Sequence, residues 1–347
     1  MTASPSPEVP VLLRTRRELR AHLDQVRAAG RSIGLVPTMG YLHEGHLSLV
    51  DRALEEADHA LLSIFVNPLQ FAPGEDLDRY PRDLEGDLRK AGARGVHAVF
   101  APSREEMYPG GEPVLRISPG PMGTHLCGRS RPTHFPGVLT VVCRLFGLVR
   151  PQVAVFGRKD LQQSLLVRRM VRDLELGVAV EVVAPVRESD GLALSSRNAY
   201  LAPEDRARAP ELQRALEAAR QRWQAGETDA RRLVEGVRAH LDGVEGLEVD
   251  YVELVDTDLL QPVEEAREGH ALAGAIHLGP TRLIDNVLLR PEPDPRPAGA
   301  HARSDEVSEQ RSGRVGGAEA RSGDDSGARS VDVARAHAGE GLPGGRG

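Results

Sequence analysis

Two histidines, His43 and His46, stand where the sequence could hold an anion. They close the stretch 37–46, Pro-Thr-Met-Gly-Tyr-Leu-His-Glu-Gly-His, between an apolar run and an amphipathic one. At the start of a helix, such a pair lies on one face, beside the unpaired N–H groups of the first turn. Gly45 leaves room for a phosphate to approach, so the pattern predicts a nucleotide phosphate site. The alternative interpretation is a histidine pair that caps the helix or makes surface hydrogen bonds.

Other turns of the chain also carry hydrogen-bond donors. Asn67 and Gln70 follow the apolar run 60–66 with neutral amides, which suit a carboxylate or a hydroxyl. Residues 157–160, Gly-Arg-Lys-Asp, offer a compact cation, and residues 195–197, Ser-Ser-Arg, offer two hydroxyls and a guanidinium. The latter two groups suit a polyphosphate. Taken singly, each of these turns has another interpretation. Asn67-Pro68 is an ordinary turn signal, Lys159 and Asp160 suit a surface ion pair, and the serines suit a linker between domains.

The elements that position these turns alternate between strands and helices. Buried strands are predicted at 32–36, 60–66, 96–100, 153–156 and 178–184, and helices at 11–30, 44–57, 83–93 and 162–174. Continuous apolar strands alternating with helices indicate an α/β fold with a doubly wound, Rossmann-like parallel sheet. Its ligand is expected beyond the carboxyl ends of the strands, where the strand order reverses.

The chain divides into a catalytic domain over 1–185, a smaller domain and a tail. Helices at 204–225 and 229–241, then strands at 249–255, 271–278 and 282–289, predict a small α+β lid domain over 186–290. Residues 291–347 lack aromatic side chains and are rich in Gly, Ala, Arg and Ser. Such a composition buries too little apolar surface to offset its ordering entropy, so a disordered tail is predicted there.

Composition argues against several classes of protein. The 347 residues carry 44 basic and 51 acidic side chains, a net charge of −7, which is unsuited to neutralising nucleic-acid phosphates. Two cysteines, Cys127 and Cys143, cannot build a disulfide framework. The sequence has neither a signal-peptide pattern at its start nor an apolar run long enough for a membrane span. We therefore expect a cytoplasmic protein without nucleic-acid or membrane partners.

An ordered set of blocks runs along the chain: 37–40 with His43 and His46, 65–68, 131–135, Lys159-Asp160 with Gln162-Gln163, 190–198, and 282–286. Together these blocks resemble the pantoate–β-alanine ligase family over about residues 11–290. The His-x-Gly-His block alone indicates only a nucleotidyltransferase superfamily, whereas the ordered set is specific.

This resemblance implies ATP-dependent condensation of pantoate with β-alanine through a pantoyl adenylate, releasing AMP and pyrophosphate. It implies catalytic roles for His43, His46 and Lys159. The ATP-binding residues implied are Met39, Gly40, Tyr41, Leu42, His43, Glu44, Gly45, His46, Gly157, Arg158, Lys159, Asp160, Val186, Leu194, Ser195, Ser196 and Arg197. Gln70 and Gln163 are expected to hold pantoate, Gln70 also to lie near β-alanine, and Asn67 to line the same pocket. A homodimer is expected, with Mg²⁺ on the triphosphate and Asp87 as its ligand or as a neighbour of a ligand.

The sequence departs from the family pattern at three positions. Arg158 stands where an acidic residue or a similar one is usual, Leu69 replaces the usual Met, and Cys127 stands where Glu is frequent. None of these changes removes an expected catalytic group.

Two other functions stay open at this point. A nucleotidyltransferase acting on a phosphorylated acceptor would call for more Lys or Arg beside Asn67, Gln70 and Gln163, which are neutral. A catalytically silent nucleotide-binding or scaffold protein would not need the intact His43 and Lys159.

Overall fold

A six-stranded parallel sheet forms the centre of the computed structural model, which describes residues 9–290. The strands in chain order are β1 Val11–Leu13, β2 Ile33–Thr38, β3 His59–Ile64, β4 Ala98–Phe100, β5 Val153–Gly157 and β6 Ala179–Val183. They lie side by side as β1-β4-β3-β2-β5-β6, and every neighbouring pair is parallel. The predicted doubly wound α/β fold is confirmed.

Helices connect these strands and cover both faces of the sheet. They are α1 Arg16–Ala28, α2 Glu44–Glu56, α3 Leu84–Ala93, α4 Arg104–Met107, α5 Cys127–Ser130, α6 His134–Val149 and α7 Leu161–Asp173. Short 3₁₀ turns lie at Pro68–Gln70, Gly120–Gly123, Arg158–Asp160 and Ser196–Tyr200.

Alternation along the central strands divides the core between the two faces. Leu35 and Leu61 belong to the apolar cluster that includes α1 and α6, whereas Val36 and Leu62 pack in the cluster that includes α2. Successive side chains of a strand point to opposite faces, so a strand covered on both sides is apolar throughout. This burial explains why the strands read as continuous apolar runs.

The strand order reverses between β2 and β5, which pair directly. From β2 the chain proceeds to β3 and β4 on one side, and β5 and β6 lie on the other. In a doubly wound sheet, the crevice beyond the carboxyl ends at such a point is where a ligand binds. The turns that follow Thr38 and Gly157 therefore face each other across this crevice.

The smaller α+β region follows the parallel sheet. Its elements are α8 Pro203–Arg208, α9 Glu211–Gln224, α10 Ala230–Asp242, β7 Leu247–Val255, β8 Ala271–Leu278 and β9 Thr281–Leu288. The three strands are antiparallel in the order β7-β8-β9. Leu216 of α9, Leu233 of α10 and Ile276 of β8 belong to an apolar cluster of their own. The predicted α+β character is confirmed.

Two predicted helices have different bounds in the structure. The helix predicted over 11–30 begins only at Arg16, because Val11–Leu13 pairs with β4 as an edge strand and Thr15 caps the helix. The helix predicted over 204–225 is divided into α8 and α9 at Pro210. Proline lacks the N–H that a continuous helix would need at that position.

The parallel sheet and the α+β region belong to one compact unit, within which no boundary is resolved. The domain boundary predicted at 185/186 therefore stays a prediction. The predicted disordered tail, 291–347, lies outside the described residues. Across 9–290, no helix combines the length and apolar character needed to cross a membrane.

Helix α6 packs closely against the turn that carries Gln70, and substitution of Gly137 tests this contact. A Cβ on Gly137 would overlap the carbonyl of Leu69 and lie 2.6 Å from the amide nitrogen of Gln70. We expect Gly137→Ala to lower the free energy of unfolding by about 2–3 kcal/mol, because backbone on both sides must move. Urea unfolding of the purified protein measures this change.

Gly147→Ala is the matched control in the same helix. Gly147 is exposed, and nothing lies within 4 Å of a Cβ placed there. Alanine should stabilise the helix at that position by about 0.5–1 kcal/mol, because it restricts the unfolded chain more than glycine does. Destabilisation of both variants by the same amount would refute the close contact at Gly137.

Candidate active site

A cavity of about 840 Å³ opens where the strand order reverses. It brings together most of the predicted site residues. Those lining it are Met39, His43, Gly45, His46, Asn67, Gln70, Gly157, Lys159, Asp160, Gln163, Val186, Leu194, Ser195, Ser196 and Arg197. Gly40, Tyr41, Leu42, Glu44, Asp87 and Arg158 do not line it. The ligand contacts of all these residues stay predictions.

The turn after β2 has an uncommon backbone conformation. Gly40 has a φ of +86° and Tyr41 a φ of +53°, so two successive residues lie in the left-handed region. Glycine adopts this conformation readily, but a tyrosine does not. The turn therefore needs support from elsewhere in the fold.

Asp87 of α3 supplies this support. Its two carboxylate oxygens accept the backbone N–H groups of Tyr41 and Leu42 at 2.8 and 2.7 Å, and the residue is only 1% exposed. Burial raises the pKa of this carboxyl. Lys90, one turn later, donates to the Leu42 carbonyl at 2.7 Å. Because both Asp87 oxygens are engaged, the geometry favours a role in holding the turn over the expected metal coordination.

The supported turn leads directly into the histidine pair. His43 is the N-cap of α2, and its Nδ1 accepts the N–H of Gly45 at 3.2 Å. His46 Nδ1 accepts the N–H of His43 at 3.4 Å, and the ring centroids are 4.1 Å apart. Since Nδ1 is the acceptor in both rings, the proton of each neutral imidazole belongs on Nε2. Two N–H donors are thereby available to a ligand in the cavity.

Both imidazoles are uncharged at neutral pH. Burial, with the positive charges of Lys159 and Lys90, lowers the pKa of His43 to about 4. Burial, with the neighbouring His43 and Lys159, lowers the pKa of His46 to about 3. The pair can therefore donate hydrogen bonds to a phosphate without adding positive charge to the cavity.

Asn67 orients Gln70 from inside the protein. Asn67 Nδ2 donates to Gln70 Oε1 and to the Gly137 carbonyl, both at 3.1 Å, and the residue is 1% exposed. Its Oδ1 accepts the hydroxyl of Tyr108 at 2.8 Å. With its oxygen acting as an acceptor, the Gln70 amide directs Nε2 towards the sulfur of Met39 at 3.3 Å. Asn67 therefore serves to position Gln70.

The turn after β5 is fixed by the smaller α+β region. Asn286 of β9 donates to the carbonyls of Arg158 and Lys159 at 2.9 and 3.1 Å. Gln162 is buried and donates to the carbonyls of Met122 and His125, both at 2.9 Å. Gln163, by contrast, lines the cavity.

Charged residues that line the cavity without being predicted site residues are Glu75, Asp76, Arg79, Arg131, Asp250, Arg282 and Asp285. Arg131 pairs with Glu75 at 2.6 Å, and Arg197 pairs through Nε and Nη2 with Asp76 at 2.9 and 3.0 Å. Burial acts to raise the pKa of Asp76, but the Arg197 guanidinium holds it below its usual range. The adjacent acids after Pro73-Gly74 were the available signal for Glu75 and Asp76, whereas Arg131, Arg282 and Asp285 lie in blocks that carried the family resemblance.

The part of the chain from 9 to 290 contains no group of three or more His, Cys, Asp or Glu side chains arranged to hold a metal ion. Asp160 lines the cavity and its carboxylate is exposed. Within these residues the cavity therefore offers Asp160 as an exposed carboxylate but no preformed cage of metal ligands.

Asp87→Ala tests whether this carboxylate holds the turn. It would leave two N–H groups without acceptors, so we expect the free energy of unfolding in EDTA to fall by about 2–4 kcal/mol. Asp83→Ala is the control, because Asp83 only caps α3 and its loss should cost about 1 kcal/mol. A metal ligand would behave differently: stability in EDTA would be unchanged, and activity would be recovered by excess Mg²⁺.

Comparison with known proteins identifies the family. A family model described as pantoate-beta-alanine ligase matches residues 11–288. The pantothenate synthetase of Pelotomaculum thermopropionicum is 50% identical over 275 residues, which cover 79% of this chain and 97% of the relative. That of a Nocardioides species is 51% identical over 288 residues, which cover 81% of this chain and 85% of the relative.

Solved structures show the same similarity. The crystal structure of pantothenate synthetase from Thermus thermophilus has a TM-score of 0.77 and 48% identity, covering 81% of this chain and 100% of that one. A pantoate-beta-alanine ligase from Francisella tularensis, complexed with beta-gamma ATP and beta-alanine, has a TM-score of 0.67 and 31% identity, covering 81% and 98%. This chain belongs to the pantoate–β-alanine ligase family.

Proposed function

We propose that this protein condenses pantoate with β-alanine to form pantothenate, converting ATP to AMP and pyrophosphate. The observation that carries the proposal is that one cavity contains both a set of cationic and N–H donor side chains suited to phosphates and a set of neutral amides. The first includes His43, His46 and Lys159, and the second includes Gln70 and Gln163. The relative from Francisella tularensis, complexed with beta-gamma ATP and beta-alanine, supports the nucleotide and the amine as ligands.

The reaction needs alignment and charge stabilisation more than a protein nucleophile. In the first step a carboxylate oxygen of pantoate attacks the α-phosphorus of ATP, and pyrophosphate leaves. In the second, the amine of β-alanine attacks the carbonyl carbon of the mixed anhydride, and AMP departs with that oxygen. Holding the reactants in line and stabilising the developing phosphate charge are the main contributions available to the protein.

The two donor sets divide this work. His43 and His46 supply Nε2–H donors, and Lys159 supplies the compact positive charge that offsets negative charge on the leaving pyrophosphate. Ser195 and Ser196 line the same cavity and offer hydroxyl groups to the nucleotide. Neutral donors have the advantage that they stabilise charge without forming a tight ion pair with the reactant.

The neutral amides suit pantoate. A cationic side chain beside the pantoate carboxylate would lower its nucleophilicity, whereas the Gln70 and Gln163 amides can orient the carboxylate and hydroxyl groups by hydrogen bonding. Asn67 Nδ2 donates to Gln70 Oε1 and so fixes the orientation of the Gln70 amide. A phosphorylated acceptor would find only weak compensation for its charge from these amides, which disfavours the nucleotidyltransferase alternative.

Mg²⁺, when bound, would neutralise triphosphate charge and favour departure of pyrophosphate. Asp160 is the cavity carboxylate that we propose as its protein partner, since Asp87 uses both oxygens on the turn. We also propose, from family membership, a homodimer located in the cytoplasm.

Lys159→Met tests the function and the role of Lys159 together. With pantoate and β-alanine both in excess over enzyme, we expect the wild-type protein to convert ATP to AMP over many turnovers. Omission of either substrate should abolish this turnover. The variant should lower kcat by about 10²–10³-fold, the effect of losing one group that stabilises transition-state charge. Coupled detection of AMP, with pantothenate quantified by mass spectrometry, measures both.

Arg168→Met is the control for this variant. Arg168 is an exposed cation on α7, outside the cavity, so its removal should leave kcat within about twofold. Turnover of a phosphorylated acceptor, with no AMP from pantoate and β-alanine, would refute the function. Near-wild-type kcat for Lys159→Met would refute the role of Lys159 alone.

A further inference from the structure

One loop supplies two carboxylates that form ion pairs with arginines of the cavity. Residues 72–80, which we name the strap, run from the 3₁₀ turn that carries Gln70 towards α3. Glu75 of the strap pairs with Arg131, and the next residue, Asp76, pairs with Arg197. All four side chains line the cavity.

The Asp76 pair engages the donors that a phosphate would need. Nε and Nη2 of Arg197 both donate to Asp76, at 2.9 and 3.0 Å. A guanidinium presents this same pair of N–H groups to two oxygens of a phosphate. Asp76 and a bound phosphate therefore compete for one edge of Arg197.

Competition for Arg197 changes the positive charge that the cavity offers to a polyphosphate. His43 and His46 are uncharged at neutral pH, so a polyphosphate relies on Lys159 and the arginines for charge compensation. With Asp76 in place, Arg197 contributes little net positive charge. Release of Asp76 would expose a full positive charge where the phosphates are expected.

The strap is built so that Asp76 can leave while its neighbour stays. Glu75 N–H donates to the Ala72 carbonyl at 3.1 Å around Pro73 and Gly74, whose φ is +87°. This is the sequence and backbone pattern of a type II turn. Glu75 is held by that turn and by Arg131, whereas the side chain of Asp76 pairs with Arg197. Arg197 can therefore be freed by movement of residues 76–80, a segment held by the hydrogen bond from the Tyr200 hydroxyl to the Arg79 carbonyl at 3.0 Å.

We propose that Asp76 is a positioning residue that occupies Arg197 in place of a polyphosphate and is displaced when the phosphates bind. The ligand class is a polyphosphate; that it is ATP before reaction and pyrophosphate afterwards rests on the proposed function. When pyrophosphate leaves, Asp76 returns to Arg197 and opposes rebinding of that product. Asp76 thus weakens phosphate binding in exchange for faster product release.

Binding of inorganic pyrophosphate to the full chain tests this directly. Asp76→Asn removes the competing charge, so the Kd for pyrophosphate should fall by about three- to tenfold, the effect of one partly exposed ion pair. KM for ATP should fall by a similar factor, and pyrophosphate should become a stronger product inhibitor. Titration calorimetry at fixed Mg²⁺ gives the Kd without pantoate or β-alanine.

Asp78→Asn is the matched control. Asp78 is an exposed acid of the same strap and, among residues 9–290, forms no ion pair. It reports how much removal of one negative charge alone improves pyrophosphate binding. Equal Kd values for the two variants, or weaker binding by Asp76→Asn, would overturn the proposal.

A measurement on the wild-type protein covers the case in which Asp76→Asn does not fold. Arg82 directly follows the strap, is exposed, does not line the cavity and donates to the carbonyls of Leu77 and Tyr80, so trypsin should cleave after it faster when pyrophosphate has displaced Asp76. Unchanged or slower cleavage would contradict displacement. Failure to form pantothenate, with the expected pyrophosphate response intact, would refute the proposed function and leave the exchange at Arg197 standing.

Discussion

Asp87 reaches from α3 to the turn after β2 and accepts two successive backbone N–H groups there. The left-handed conformation of Tyr41 costs about 1–2 kcal/mol. Hydrogen bonds to a charged acceptor contribute about 1.5–3 kcal/mol each, so two of them offset that cost. The turn sets the start of α2, and the start of α2 places His43 and His46 beside the carboxyl end of β5. The nucleotide half of the site therefore depends on a buried carboxylate that does not line the cavity.

Charge in the cavity is controlled by burial and pairing. Burial keeps the histidine pair neutral, and carboxylates of the strap neutralise Arg131 and Arg197, while Lys159 lies in the cavity beside Asp160. A cavity of this kind can hold the pantoate carboxylate without trapping it in a strong ion pair. In the proposed exchange, a polyphosphate that displaces Asp76 would meet the free guanidinium of Arg197. The same residues would then serve substrates of different charge in sequence.

Local sequence signals predicted the parallel sheet and the turns of the site, because buried strands and strand-to-helix turns have short-range signatures. The edge strand Val11–Leu13 was assigned to a helix, since its pairing with β4 is a contact between residues far apart in sequence. No prediction covered α6, whose 16 residues include ten buried ones and so lack a polar face. The same limit applies to Asp76 and to the structural role of Asp87. Each depends on a partner more than 40 positions away, which local spacing does not reveal.

In the proposed reaction, pantoate itself attacks ATP, and its carboxylate oxygen leaves with AMP. Incubation of the enzyme with ATP, β-alanine and pantoate labelled with ¹⁸O in the carboxylate follows that oxygen. AMP should carry one ¹⁸O for each pantothenate formed, as measured by mass spectrometry. Unlabelled AMP, or label recovered in inorganic phosphate with ADP as the nucleotide product, would rule out this attack.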